Sequence, residues 1–183
     1  MREKFQIDAA HTVLGFSARH LGVSNVRGHF GKFEGSFEAD RGDLSNATGE
    51  VVIDVSSITT GTDQRDAHLK SADFFEADKY PTATYRLTQV TPESNSTYRV
   101  TGELTIKDVT RTVVLSATLE GETDSPFVPG AKVVAVSATG EINRMDFGLN
   151  WDGLAGAIPL ASHNIKLSFE LELVATEIAE AAA

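Results

Sequence analysis

The feature that most constrains this chain is a period of two. Tyr98, Val100, Gly102, Leu104 and Ile106 alternate with Arg99, Thr101, Glu103 and Thr105. Ile165, Leu167, Phe169, Leu171 and Leu173 alternate in the same way with Lys166, Ser168, Glu170 and Glu172. Successive side chains of a strand point to opposite faces, so each run has one apolar face and one wet face. The pattern recurs in Leu14/Phe16/Ala18/His20, Phe33/Gly35/Phe37/Ala39, Val51/Ile53/Val55 and Ala83/Tyr85/Leu87. It returns in Val113/Leu115/Ala117/Leu119 and in Val134/Val136/Ala138 with Ile142. It predicts eight strands, near 12–20, 30–40, 48–56, 82–90, 97–106, 111–121, 132–142 and 163–174.

Polar turns separate the runs: Arg41-Gly42-Asp43, Pro92 to Ser96, Lys107-Asp108, Asp124-Ser125-Pro126 and Pro129-Gly130. Short polar reversals between consecutive strands predict an antiparallel meander. Its apolar face must be buried against another sheet or against itself. One segment interrupts the pattern. Thr62 to Asp78 predicts a short helix near 63–71, between strands three and four. Asp63 is its expected N-cap, Asp66 sits in its first turn, and Lys79-Tyr80-Pro81 ends the segment.

Strand length then separates a barrel from a sandwich. Strands of about eight to eleven residues span roughly 27–37 Å at about 3.4 Å per residue, which suits tilted barrel staves. Eight such strands close around side chains or around one small ligand. The inward faces also mix large and small residues, as in Phe33 and Phe37 with Gly35 and Ala39. The expected fold is therefore all-β: an eight-stranded antiparallel, lipocalin-like extended barrel with one short helix. The 183 residues fit one domain over 1–176, with Glu177–Ala183 expected to be a frayed tail.

The net charge of −10 disfavours nucleic-acid and anionic-membrane partners. No run reaches the roughly 18 apolar residues of a membrane span, so no stable membrane insertion is expected. A homodimer is an allowed assembly. The start Met1-Arg2-Glu3-Lys4 lacks a signal-peptide pattern, so the expected location is the cytoplasm. The alternative is the periplasm, if a signal peptide was removed. There is no cysteine, which excludes disulfides and thiolate chemistry. His11, His20, His29, His68 and His163 lack metal-ligand spacing, so no metal is expected.

No phosphate loop, nucleophile elbow or catalytic triad context is present, and no catalytic residue is assigned. His20 lies on the inward parity of the first strand, as a core histidine or as a polar anchor for a ligand head. His29 and His163 are flanked by turn residues and are expected to be solvated. Arg65, Asp66 and His68 make capping and surface contacts, or stand at a barrel mouth beside a headgroup. Arg144 with Asp146 is expected to be an ion pair that pins its loop. Ten phenylalanines dominate the aromatic residues, serving as core or as the wall of an apolar cavity.

Several motifs resemble the YceI-like family. They are Asp8-Ala9-Ala10-His11-Thr12, Phe16 to Gly22, Gly28-His29-Phe30, Phe33-Glu34-Gly35, Val55 to Thr60, Arg65 to Ser71, Asp73-Phe74-Phe75, Lys79-Tyr80-Pro81, Gly102 to Arg111 and Asn143 to Leu149. The resemblance spans roughly Phe5 to Val174, with Thr12 where a serine is common and Tyr85 where a phenylalanine is common. It implies a lipocalin-like barrel with a long internal tunnel that takes polyisoprenoid chains, prenyl quinones or fatty amides.

The expected function is a non-enzymatic carrier for such an isoprenoid-type lipid, with no cofactor besides this ligand. The alternative is an isomerase or cyclase acting on an apolar substrate in the same cavity through His20 or Arg144. The expected ligand contacts are Leu14, Phe16, His20, Phe30, Phe33, Phe37, Arg65, His68, Phe74, Phe75, Tyr85, Arg144, Phe147 and Trp151. The segment Thr62–Pro81 is expected to cover one end of the barrel.

Overall fold

A computed structural model describes residues 2–40 and 42–178. In chain order its strands begin with β1 (Arg2–Ile7), β2 (Val13–His20), β3 (Ser24–Phe30), β4 (Phe33–Asp40), β5 (Asp43–Asp54) and β6 (Ile58–Thr59). Helix α1 (Asp63–Lys70) follows. Then come β7 (Thr82–Pro92), β8 (Thr97–Ile106), β9 (Val109–Asp124), β10 (Lys132–Asn143), the short hairpin β11 (Leu154–Ala155) and β12 (Ile158–Pro159), and finally β13 (Ala161–Ile178).

Pairing closes into a ring in the order β1, β4, β5, β7, β8, β9, β10, β13 and back to β1, antiparallel throughout. This is the expected eight-stranded barrel. The long β13, 18 residues, runs past the whole of one side: its end pairs with β1 and its start with β2. β3 then pairs with β2, and β6 with β3. The first three staves of the barrel are thus each broken in two.

These breaks correct the expected helix position. α1 follows β6 and precedes β7 rather than lying between strands three and four. The alternation of apolar residues does not report breaks, because they are made by local hydrogen bonds. Asp8 accepts the Ala10 amide at 2.9 Å and so turns the chain between β1 and β2. Asp54 accepts the Ser56 amide at 2.9 Å and opens a 3-10 turn over Val55–Ser57 between β5 and β6. β1 escapes the sequence pattern because Arg2-Glu3-Lys4 reads as a charged terminus, although Glu3 is only 7% exposed. The N-cap of α1 is Thr62, one residue before the expected Asp63. Of the expected tail, residues 177 and 178 belong to β13, and 179–183 lie outside the described residues.

Glycines on the inner face let the wall carry rings without filling the lumen. Gly28 faces Phe16 across the β2–β3 pair, and Gly49 faces Phe37 across the β4–β5 pair. A Cβ at either position would overlap the opposite ring, and one at Gly102 would overlap Tyr85. Each ring therefore lies flat over a glycine, against the sheet. The largest buried cluster gathers where α1 and its following turn meet the barrel. It includes Val55, Phe74, Ala77, Ile106, Val113, Phe147 and Leu149.

Candidate ligand-binding cavity

Inside the barrel lies a cavity of about 970 Å³, at the upper end of the range for small-molecule sites. Its middle is aliphatic and aromatic. Val51, Ile53, Leu87, Leu104, Val113, Leu115, Leu167 and Phe169 line it from five strands, all on the inward parity. The sequence reading omitted these residues from the site. Their signal was the same alternation that revealed the strands.

Twelve of the expected contacts line this cavity: Leu14, Phe16, His20, Phe30, Phe37, Arg65, His68, Phe74, Phe75, Tyr85, Arg144 and Trp151. Two do not. Phe33 is half-buried at the start of β4, beside the break at residues 31–32, and stands off the cavity wall. Phe147 is 2% exposed and belongs to the packed cluster behind the wall, because the 3-10 turn Arg144–Phe147 directs it there.

One end of the cavity is stoppered by the turn after α1. His68, Phe74 and Trp151 meet edge-on or tilted, with ring centroids 4.9–5.5 Å apart. Phe75 meets Phe30 edge-on at 6.1 Å, and Phe30 meets Phe16 at 5.8 Å. Such geometries are favourable for rings beyond their area burial. His68 Nε2 lies 2.8 Å from the Asp73 carboxylate, which orients the imidazole at the edge of this group. Asp66 is buried and receives the Thr60 amide at 2.8 Å and the Thr60 hydroxyl at 2.5 Å. Burial alone would raise its pKa. The Thr60 hydroxyl and amide and the Thr59 hydroxyl outweigh burial and hold it below the usual carboxylate value.

Arg144 does not pair with Asp146, as the sequence reading expected. Its side chain is 4% exposed, and its guanidinium donates to the carbonyls of Leu149, Trp151, Ala161 and Ser162. Asp152, at 3.4 Å, is its carboxylate partner, while Asp146 lies exposed on the 3-10 turn. Burial pushes the Arg144 pKa down, opposed by Asp152. A planar fork with five donors suits this task, closing the loop 149–162 over the barrel end by gathering backbone oxygens. His163 Nε2 joins the same carboxylate at 3.2 Å, and its side chain, 40% exposed, still reaches solvent as expected.

His20 is neither a core histidine nor sequestered. It is exposed at the rim, and its Nδ1 lies 2.7 Å from the Leu160 carbonyl. Tyr85 lies on the wall midway along β7, and burial pushes its phenol up to about 12. It therefore stays neutral, with its hydroxyl aimed at the Val100 and Val113 carbonyls at 3.5 and 3.4 Å.

The opposite end is ringed by three hairpins. The rim residues there are Glu3 on β1, Asp40 and Asp43 at the β4–β5 turn, and Glu122 and Lys132 on β9 and β10. None of these was expected from sequence, because each sits at a strand end where alternation no longer assigns a face.

On the outer wall, Asp8, His11 and Glu172 bring three potential metal-ligand atoms within 4.8 Å of one another. Sequence spacing could not reveal this grouping, since Glu172 comes from β13 and the other two from the β1–β2 break. The contacts have a structural role: Asp8 Oδ2 lies 2.8 Å from His11 Nδ1, the Asp8 amide donates to the Glu172 carbonyl, and the Glu172 amide donates to the Thr12 hydroxyl. Together they fasten the break to β13. Among the described residues no helix is long and apolar enough to cross a membrane.

The YceI-like domain family matches residues 5–173. A UPF0312 protein of Vibrio cholerae is 32% identical over 154 residues, covering 84% of this chain and 80% of that one. A UPF0312 protein of Staphylococcus aureus is 37% identical over 148 residues, covering 81% and 83%. Among solved structures, the Campylobacter jejuni YceI protein superposes with a TM-score of 0.75 at 32% identity, covering 93% of this chain and 96% of that one. A polyisoprenoid binding domain from Saccharophagus degradans shares the fold, with a TM-score of 0.71 at 17% identity over 94% and 98%. By the extent of the family match and the length shared with these relatives, this chain belongs to the YceI-like family.

Proposed function

We propose that this protein binds one long apolar molecule in its barrel and carries it without transforming it. The observation that carries this reading is the apolar cavity of about 970 Å³, lined from strands around the whole ring. Burying a few hundred Å² of hydrocarbon there stabilises the complex by roughly 10 kcal/mol before ordering costs, at about 25 cal/mol per Å². Several polar groups at the α1 end hold the fold: Arg144 gathers carbonyls, His68 meets Asp73, and Asp66 behind the wall is held by Thr60. The polyisoprenoid binding domain that shares the fold supports a chain-like ligand. The expected class is an isoprenoid, a prenyl quinone or a fatty amide.

Titration of delipidated protein with a prenyl quinone and a fatty amide tests the reading, followed by the fluorescence of Trp151, the single tryptophan and a wall residue. Saturable binding with a dissociation constant in the micromolar range or below is expected, and the extracted ligand should be chemically unchanged after prolonged incubation. Val136→Phe with Leu167→Phe should abolish uptake, since both side chains face the cavity. Absence of binding by either ligand overturns the carrier reading. Turnover of the bound lipid would instead establish the enzymatic alternative.

A further inference from the structure

Among the described residues, the carboxylates and the arginines that line the cavity lie at opposite ends of it. The carboxylates, Glu3, Asp40, Asp43 and Glu122, all lie at the hairpin end, with Lys132 among them. The arginines, Arg19, Arg65 and Arg144, all lie at the α1 end. In a chain with 26 acidic and 16 basic residues, a cavity mouth lined by arginines and, among the described residues, by no carboxylate runs against composition.

The arginines also differ in what they hold. Arg2, Arg86, Arg99 and Arg144 each pair with a carboxylate. Arg19 and Arg65 have no carboxylate partner among the described residues. Arg19 donates from Nη1 to the Val23 carbonyl at 3.1 Å. Arg65 donates from Nε to the Thr60 hydroxyl and from Nη2 to the Thr60 carbonyl and the Thr62 hydroxyl, at 2.7–3.2 Å. These three bonds hold the guanidinium in one orientation, while its Nη1 makes no bond among the described residues. Of the nearby carboxylates, none of which lines the cavity, Asp73 lies against His68 and Asp152 against Arg144 and His163, while Asp66 stays charged on the amide and hydroxyl of Thr60.

We infer that the ligand is an anionic amphiphile, with a carboxylate or phosphate head against Arg65 and Arg19 at the α1 end and its apolar tail running toward the acidic end. This rests on the carrier reading, replaces the neutral quinone or amide head named there with an anionic one, and adds the direction. Low-dielectric walls focus the field of fixed charges along a cleft, so the two poles favour one orientation of a charged head and oppose the other. A guanidinium already oriented by neutral oxygens can meet an oxyanion with charge-assisted hydrogen bonds without first breaking an ion pair.

Oleate, oleamide and oleylamine share one chain and differ in head charge, and they separate the two levels of the argument. Wild-type protein should bind oleate at least about tenfold more tightly than oleamide, and oleylamine most weakly, as expected for a charge-assisted contact in a partly dry site. Arg65→Gln should bring the oleate-to-oleamide ratio to near one, and Arg19→Gln should lower the ratio by about threefold. Arg65→Glu should move the preference toward oleylamine. Arg19→Gln changes an exposed side chain and keeps the test open if the Arg65 variants unfold. Equal binding of oleate and oleamide, or a ratio that neither glutamine variant changes, overturns the anionic head and leaves the carrier reading standing. If none of the three binds while a prenyl quinone does, the anionic head falls and the carrier reading stands; if the quinone fails as well, both fall.

Discussion

At the α1 end of the cavity, rings from α1, the following turn and β3 pack edge to face, and Arg144 draws four backbone carbonyls inward over them. At the hairpin end, three strand connections ring a mouth whose charged residues sit on strand ends. The first end is built from long-range contacts: Arg144 reaches Ser162, and Lys107 Nζ donates to the Phe74 carbonyl at 3.2 Å. The second is held largely by its turns, as where the Asp43 carboxylate receives the Ser45 amide and hydroxyl at 2.9 and 2.6 Å, with Arg2 reaching across to Glu38 and Thr48. The lesson is that a barrel can close one end by tertiary packing and leave the other to its turns. The two ends should then respond differently to the same kind of injury.

The largest effect is expected at the stopper. Arg144→Met removes a buried cation and orphans carbonyls that it satisfied, at a cost of about 3–5 kcal/mol. Urea unfolding should report that loss, and Trp151 emission should shift red as the loop 149–162 loosens. Arg144→Lys should rescue little, since an ammonium cannot span the same fork of acceptors. A loss under about 1 kcal/mol would mean that the stopper does not depend on this residue.

Next in size are the glycines under the rings, which test the comparison directly. Gly28→Ala forces Phe16 off the wall at the crowded end, where Phe30 already abuts it and the Thr59 carbonyl stands close. A cost of about 2–3 kcal/mol is expected from overpacking. Gly49→Ala displaces Phe37 toward the hairpin end and also brings its methyl to 2.7 Å from the Ser36 carbonyl; a smaller cost of about 1–2 kcal/mol is expected because the ring itself has free lumen to move into. Both should weaken binding of an apolar chain. Equal destabilisation by the two substitutions would erase the distinction between the ends.

The smallest effect belongs to the clamp at the β1–β2 break. The Asp8 carboxylate, and after it Glu172, raise the His11 pKa, and the His11 ring lowers that of Asp8. A raised histidine contributes stability that is full below its ordinary value of about 6.5 and fades as pH climbs through the raised value. A lowered aspartate contributes stability that is full above its ordinary value of about 3.9 and fades as pH falls through the lowered one. The clamp is therefore strongest between about pH 4 and about pH 6.5. His11→Gln should flatten the fall in melting temperature on the alkaline side of that window. An unchanged profile would show that the Asp8 and Glu172 backbone bonds suffice to hold the break.

The sequence by itself determined the barrel and its apolar interior. Alternation over Tyr98–Ile106 and Ile165–Leu173 assigns a face to every residue, since a strand has only two faces. Ring closure decides which face is the inside, and the apolar face can only be that one. It is for this reason that Leu14, Phe16, Phe37 and Tyr85 were legible as wall residues. Parity says nothing of depth, so Phe33, with the inward parity of Phe37, reads the same in sequence and yet stands off the cavity. Parity also fails at strand ends, where Arg19 turns to the cavity beside His20 and the carboxylates of Asp40 and Asp43 meet Glu3 and Glu122 around one mouth. Only the tertiary structure decided those, together with the partner of Arg144 and the company of His11. Each depends on groups brought together from distant parts of the chain by closure of the ring, as with Glu172 at residues 8–12 and Asp152 beside Arg144.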